Sequence, residues 1–139
     1  MRIRELHFEG TMAHGAHGLR FLGPTVRGAL GLALKRVACQ VSHGDCGRCA
    51  LIEACAYPRV FEGRLPTANA ITGDRRLEQA APQPFVLLCP SPHVRLDGRT
   101  RVAFGIRLFG PACDDAPYII EALRTATSSG FGPRDVPLT

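Results

Sequence analysis

No apolar run in this chain is long enough to cross a membrane or to act as a secretory leader; the amino end, MRIRELHFEG, alternates charged with apolar residues. A cytoplasmic protein in a reducing compartment is therefore expected, where clustered cysteines ligate metal more often than they form disulfide staples. Lysine is almost missing too: Lys35 stands alone against sixteen arginines in a chain of net charge +5. The base composition of a genome can produce that bias. The functional explanation is that planar guanidinium groups grip phosphate bidentately, which favours nucleic acid as a partner. With 45% hydrophobic and 21% charged residues over 139 positions, the chain has the make-up of one globular domain that buries a real core.

What is present in excess is cysteine. Cys39, Cys46, Cys49 and Cys55 fall in the stretch CQVSHGDCGRCALIEAC, and Gly47 lets the thiolates of the Cys46–Cys49 knuckle converge on one ion. Tetrahedral zinc is the first reading of this spacing. An iron–sulfur cluster, a disulfide pair and unligated thiols are the alternatives, and His43 can replace Cys39 in the ligand set. Four protein ligands leave no open position, so such a metal would be structural, not catalytic. Cys89 and Cys113 have no partner at ligand spacing and read as core or incidental cysteines.

Along the chain, Arg2 to Phe8 reads as a first strand, with Ile3, Leu6 and Phe8 turned to a core if a bulge shifts the phase. Gly10 to Gly23 has no clear period and reads as a loop or a hairpin end carrying His14 and His17. A helix starts at Pro24 or Thr25, with Val26, Ala29, Leu30, Ala33, Leu34 and Val37 on one face. Arg27, Gly31 and Lys35 form an i, i+4, i+8 row on the other side, with Gly28 and Arg36 beside it. Two helix glycines cost about 1 kcal/mol each relative to alanine, so a close approach is expected there, by another element or by an RNA phosphate strand.

After the cysteine loop, Ala56 to Gly63 reads as a short extended piece, and Arg64 to Pro84 as a long irregular connection. Phe85 to Cys89 reads as a buried strand. Asp97-Gly98 signals a hairpin between Val94–Leu96 and Thr100–Phe109. In the second arm Val102, Phe104, Ile106 and Leu108 face one way, leaving Arg101, Ala103, Gly105 and Arg107 on a small, basic outer face. Asp114 or Asp115 caps a last helix with Pro117 in its first turn and Ile119, Ile120, Leu123 and Ala126 as its stripe, ended by Ser128-Ser129-Gly130. The order strand, helix, strand, strand, helix, strand predicts an α+β, ferredoxin-like β-α-β-β-α-β fold with a cysteine insertion after the first helix.

Gly23-Pro24-Thr25-Val26-Arg27-Gly28-Ala29-Leu30-Gly31 resembles the first-helix motif of the RAMP superfamily of CRISPR-associated proteins. Cys46-x-x-Cys49, Leu51, Cys55, Tyr57 and Phe61-Glu62 are similar to the segment that follows that helix in one branch of the pre-crRNA processing endoribonucleases. Pro84 to Leu88, Phe104 to Gly110 and Gly130-Phe131-Gly132-x-Arg134 extend the likeness over nearly the whole chain. Processing enzymes of this kind usually carry two such domains, so residues 1–139 correspond to an amino-terminal half or to a reduced single-domain relative.

The resemblance implies binding and metal-independent cleavage of CRISPR repeat RNA, by attack of a ribose 2′-hydroxyl on the adjacent phosphate to leave a cyclic phosphate. That chemistry needs a group titrating near neutrality, and the candidates are His43, then His14 and His17. Arg27, Lys35, Arg36, Arg107 and Arg134 are the candidate RNA contacts. Two other readings stand beside this one. The chain can be a non-catalytic RAMP subunit that binds crRNA among other effector subunits, or a zinc-stabilised module unrelated to RNA.

Overall fold

In the computed structural model of the protein, residues 1–11, 21–41, 45–63, 82–90 and 101–129 are described. They form strand β1 (Ile3–Thr11), helix α1 (Leu22–Ala38), a 3₁₀ turn at Cys46–Arg48, helix α2 (Ala56–Val60), strands β2 (Phe85–Leu88) and β3 (Arg101–Phe109), a 3₁₀ segment at Gly110–Asp115 and helix α3 (Ala116–Ser129). The result is a mixed α+β domain with a three-stranded antiparallel sheet in the order β1-β3-β2. No helix among the described residues is long and apolar enough to cross a membrane.

The sheet is organised by β3, which pairs antiparallel with both neighbours. As its alternation predicts, Val102, Phe104, Ile106 and Leu108 are all buried. Against that face pack Leu22, Val26, Leu30 and Leu34 of α1 and Ile119, Ala122, Leu123 and Ala126 of α3, in one hydrophobic cluster. Helices thus cover one side of the sheet. Gly110 turns the chain out of β3 at φ 58°, where a side chain would be strained, and its N–H donates to the Arg2 carbonyl at 2.8 Å.

Several local expectations are corrected. The β1–β3 ladder runs unbroken from Ile3↔Phe109 to Thr11↔Arg101, so no bulge shifts the phase. Ile3 therefore stands on the outer face, 56% exposed, while Arg4 takes the inner parity and donates to the Cys113 carbonyl. Strand β2 buries only one face: Phe85 is inside and Val86 is 49% exposed. Helix α1 begins at Leu22, and Thr25 donates back to the Phe21 carbonyl (2.9 Å) instead of capping. Pro24 is tolerated because the first helical N–H groups have no intrahelical acceptor. The same freedom makes Ala56–Val60 a helix and not an extended piece, since Pro58 is its third residue.

Both aspartates before α3 lie in the 3₁₀ segment that runs straight into the helix, and each is bound by an arginine. Asp114 pairs with Arg2, and Asp115 is bound through both oxygens by Arg59. The expected turn at Asp97-Gly98, the connection over 64–81, His14, His17, His43 and Arg134 lie outside the described residues.

Two exposed ion pairs set an acid limit. Hydrogen bonds from Arg107 hold the Glu5 carboxyl below its ordinary range, and those from Arg2 do the same for Asp114. A carboxylate whose folded pKa is depressed contributes stability above its unfolded pKa and loses it as pH falls through the lower folded value. The melting temperature is expected to drop below about pH 4. Because both pairs are solvent-exposed, high salt should shrink that drop, as should Glu5→Gln together with Asp114→Asn.

Candidate functional site

The cysteine loop joins the end of α1 to the start of α2. Asp45 organises its knuckle: Oδ1 accepts from the Gly47 N–H at 2.9 Å, and the Cys49 N–H reaches the Cys46 carbonyl at 3.3 Å. All four cysteines are free thiols and line one cavity of about 130 Å³, together with Lys35, Tyr57 and Tyr118. Burial pushes the Cys46 thiol up, and the charge of Glu62 adds to this. As they stand, no three His, Cys, Asp or Glu side chains among the described residues are close enough to hold a metal ion. The donor set suits a soft ion, and ligation needs the loop to draw in. Cys113 is buried and donates to the Leu108 carbonyl, as a core cysteine does.

Beside the cavity, three rings form a stack. Tyr57 and Phe61 lie 5.7 Å apart between centroids, and Phe61 and Phe85 6.0 Å apart. Lys35 Nζ sits 5.3 Å from the Tyr57 ring centre, and the Arg27 guanidinium 5.3 and 5.4 Å from those of Phe61 and Phe85. Gln83 ties the stack together by accepting from Arg27 and donating to the Phe61 carbonyl. The row Arg27, Gly31, Lys35 is therefore the seat of an aromatic ladder and not an open basic stripe. Gly31 is small because Phe61 lies on the helix backbone: a Cβ there would stand 2.5 Å from Phe61 Cζ.

Gly28 differs. It is exposed, and a Cβ on it would meet nothing within 4 Å. Packing among the described residues gives no reason for this glycine. Gly28→Ala is expected to raise stability by about 0.5–1 kcal/mol, read as a shift in denaturant midpoint. Arg36 is exposed on the same surface, so Gly28 and Arg36 lie open while Arg27 and Lys35 are held.

The outer sheet face is not the basic surface expected from β3 alone. Arg107 is tied to Glu5 through Nε (2.9 Å) and Nη2 (2.7 Å), and the other Glu5 oxygen lies 3.0 Å from His7 Nε2. Glu9 shares this parity opposite Ala103. Among the described residues, His7 is the histidine that sequence reasoning passed over. The odd-numbered residues Glu5, His7 and Glu9, read with β1 as a strand, were the available signal. It stands across the sheet from the helices and does not meet the α1 surface or the cysteine cavity.

The described residues thus make a small α+β domain with helices on one sheet face and a cysteine loop at the end of its first helix. A family described as an N-terminal domain, AF_1859_N, matches residues 1–139, and the chain belongs to that family. No curated protein matches the chain.

Proposed function

We propose that this domain binds CRISPR repeat RNA along α1 and takes part in its metal-independent processing. The observation that carries the reading is the α1 surface: the helix LGPTVRGALGLALKRVA contains Arg27, Lys35 and Arg36 and no acidic residue, with open backbone at Gly28 between its cations. An RNA phosphate can approach a glycine's backbone closely, and stacking on Phe61 and Tyr57 presets two cations instead of leaving them to be ordered on binding. In this reading the fold is ferredoxin-like. The strand order β1-β3-β2 is what that arrangement has when its last strand, which pairs with the other edge of β1, is set aside. The cysteine loop is then a four-thiolate zinc insertion of Cys39, Cys46, Cys49 and Cys55, with His43 the alternative to Cys39.

Cleavage by 2′-hydroxyl attack calls for a base and an acid near the helix, the roles of His43, His14 and His17, with arginines on the developing phosphate charge. The same surface serves a non-catalytic RAMP subunit that holds crRNA among other effector proteins. Labelled CRISPR repeat RNA incubated with the protein in excess EDTA separates the readings, scored for gel shift and for cleavage. A cyclic-phosphate product supports the endoribonuclease, and a shift without cleavage the binding subunit. No shift at any salt concentration removes the RNA reading altogether. Arg36→Ala should weaken binding of all repeat sequences alike and reduce the salt slope by about 1.

A further inference from the structure

Between Cys39 and Cys55 no described residue is buried, and those not fully exposed are the four cysteines and Ile52. Ordering a loop of this length costs on the order of 1–2 kcal/mol per residue in backbone entropy, which so little apolar burial does not return. All four cysteines of the loop line one cavity, beside Val41, Leu51 and Ile52. The loop's far end is the start of α2: Cys55 is the residue before the helix, and Tyr57 and Phe61 follow within six positions. A five-residue helix has no stability of its own. Arg59 donates from Nη1 to the Glu53 carbonyl and so ties α2 back to the loop.

We propose that a soft divalent ion held by Cys39, Cys46, Cys49 and Cys55 clamps α2 against α1, and that its occupancy sets the rings on which Lys35 and Arg27 rest. Each thiol gives up its proton to solvent as the metal–sulfur bonds form. The clamp rests on the zinc reading of the loop and needs nothing from the RNA reading. Metal loss then leaves the sheet and the α1–α3 core in place while α2 and its rings loosen, so the ion controls the placement of two cations without touching them.

The chain has no tryptophan, and its two tyrosines, Tyr57 and Tyr118, both line this cavity, so intrinsic emission reports on it alone. Reduced, metal-free protein is titrated first with Co²⁺ and then with Zn²⁺. Expected are uptake of a single ion per chain, thiolate-to-cobalt charge-transfer absorption, quenching of tyrosine emission in step, and displacement of cobalt by zinc. With zinc bound, hydrogen exchange at the Phe61 amide, which donates to the Tyr57 carbonyl, should slow by about tenfold or more, while β3 amides hold their rates. Cys46→Ser should lose the absorption band and Cys89→Ser should keep it. Failure of the reduced wild-type protein to take up either ion overturns the site. Uptake that leaves Phe61 exchange unchanged overturns the clamp. RNA enters neither measurement, so a failed RNA reading leaves both outcomes readable.

Discussion

Asp115→Asn should lower the stability of the domain by about 3 kcal/mol, the largest loss expected from any polar substitution in it. The Asp115 side chain is 3% exposed and that of Arg59 22%. Their two hydrogen bonds, 2.8 and 2.5 Å, join α2 to the segment leading into α3. Removing one partner of a buried pair costs more than the pair contributes, because the remaining charge keeps its desolvation penalty. Water can reach part of Arg59, which places the loss at the low end of the range for such pairs. Chemical denaturation of Asp115→Asn, Arg59→Met and the double variant Asp115→Leu/Arg59→Met tests this. The double variant should recover most of the loss. A single variant as stable as the parent would show that the pair holds nothing together.

Gly31→Ala should destabilise by about 2 kcal/mol even though alanine is the better helix former by about 1 kcal/mol. The new Cβ would lie 2.5 to 3.0 Å from three Phe61 ring atoms. A free phenyl ring would swing away at little cost. This one is stacked between Tyr57 and Phe85 under the Arg27 guanidinium, so it moves only if the ladder moves with it. Phe61→Leu should weaken the ladder by itself but make Gly31→Ala nearly neutral, a coupling that a double-mutant cycle reads directly. Gly28→Ala is the control: same helix, same substitution, opposite sign. Equal effects at both glycines would mean that propensity alone sets the outcome.

Both glycines were legible as anomalies, since a helix keeps two such residues only for a reason. Which of the two was occupied depended on Phe61, thirty positions beyond Gly31 and on an element that the sequence pattern assigned wrongly. Pro58 suggested an extended segment because proline breaks helix interiors, yet the first turn of a helix forgives it. Asp114 and Asp115 show a related limit. Local pattern offers each a helix N-terminus, whereas the arginines that bind them, Arg2 and Arg59, come from distant segments.

Periodicity settled what depends on near neighbours: the buried face of β3, the apolar side of α1, the stripe of α3, and the cysteine spacing with its knuckle. These follow from repeats of two and 3.6 residues and from turn chemistry, which act over a few positions. Which cations are held and which stand open was a tertiary matter. Arg107 found Glu5 across a strand pair, Arg27 and Lys35 found the rings of α2 and β2, and Arg36 found none of these. The four cysteines share their cavity with residues of α1, α2 and α3. Charge and ring partners are chosen by proximity in the folded chain, and the long separations that bring them together leave no local trace.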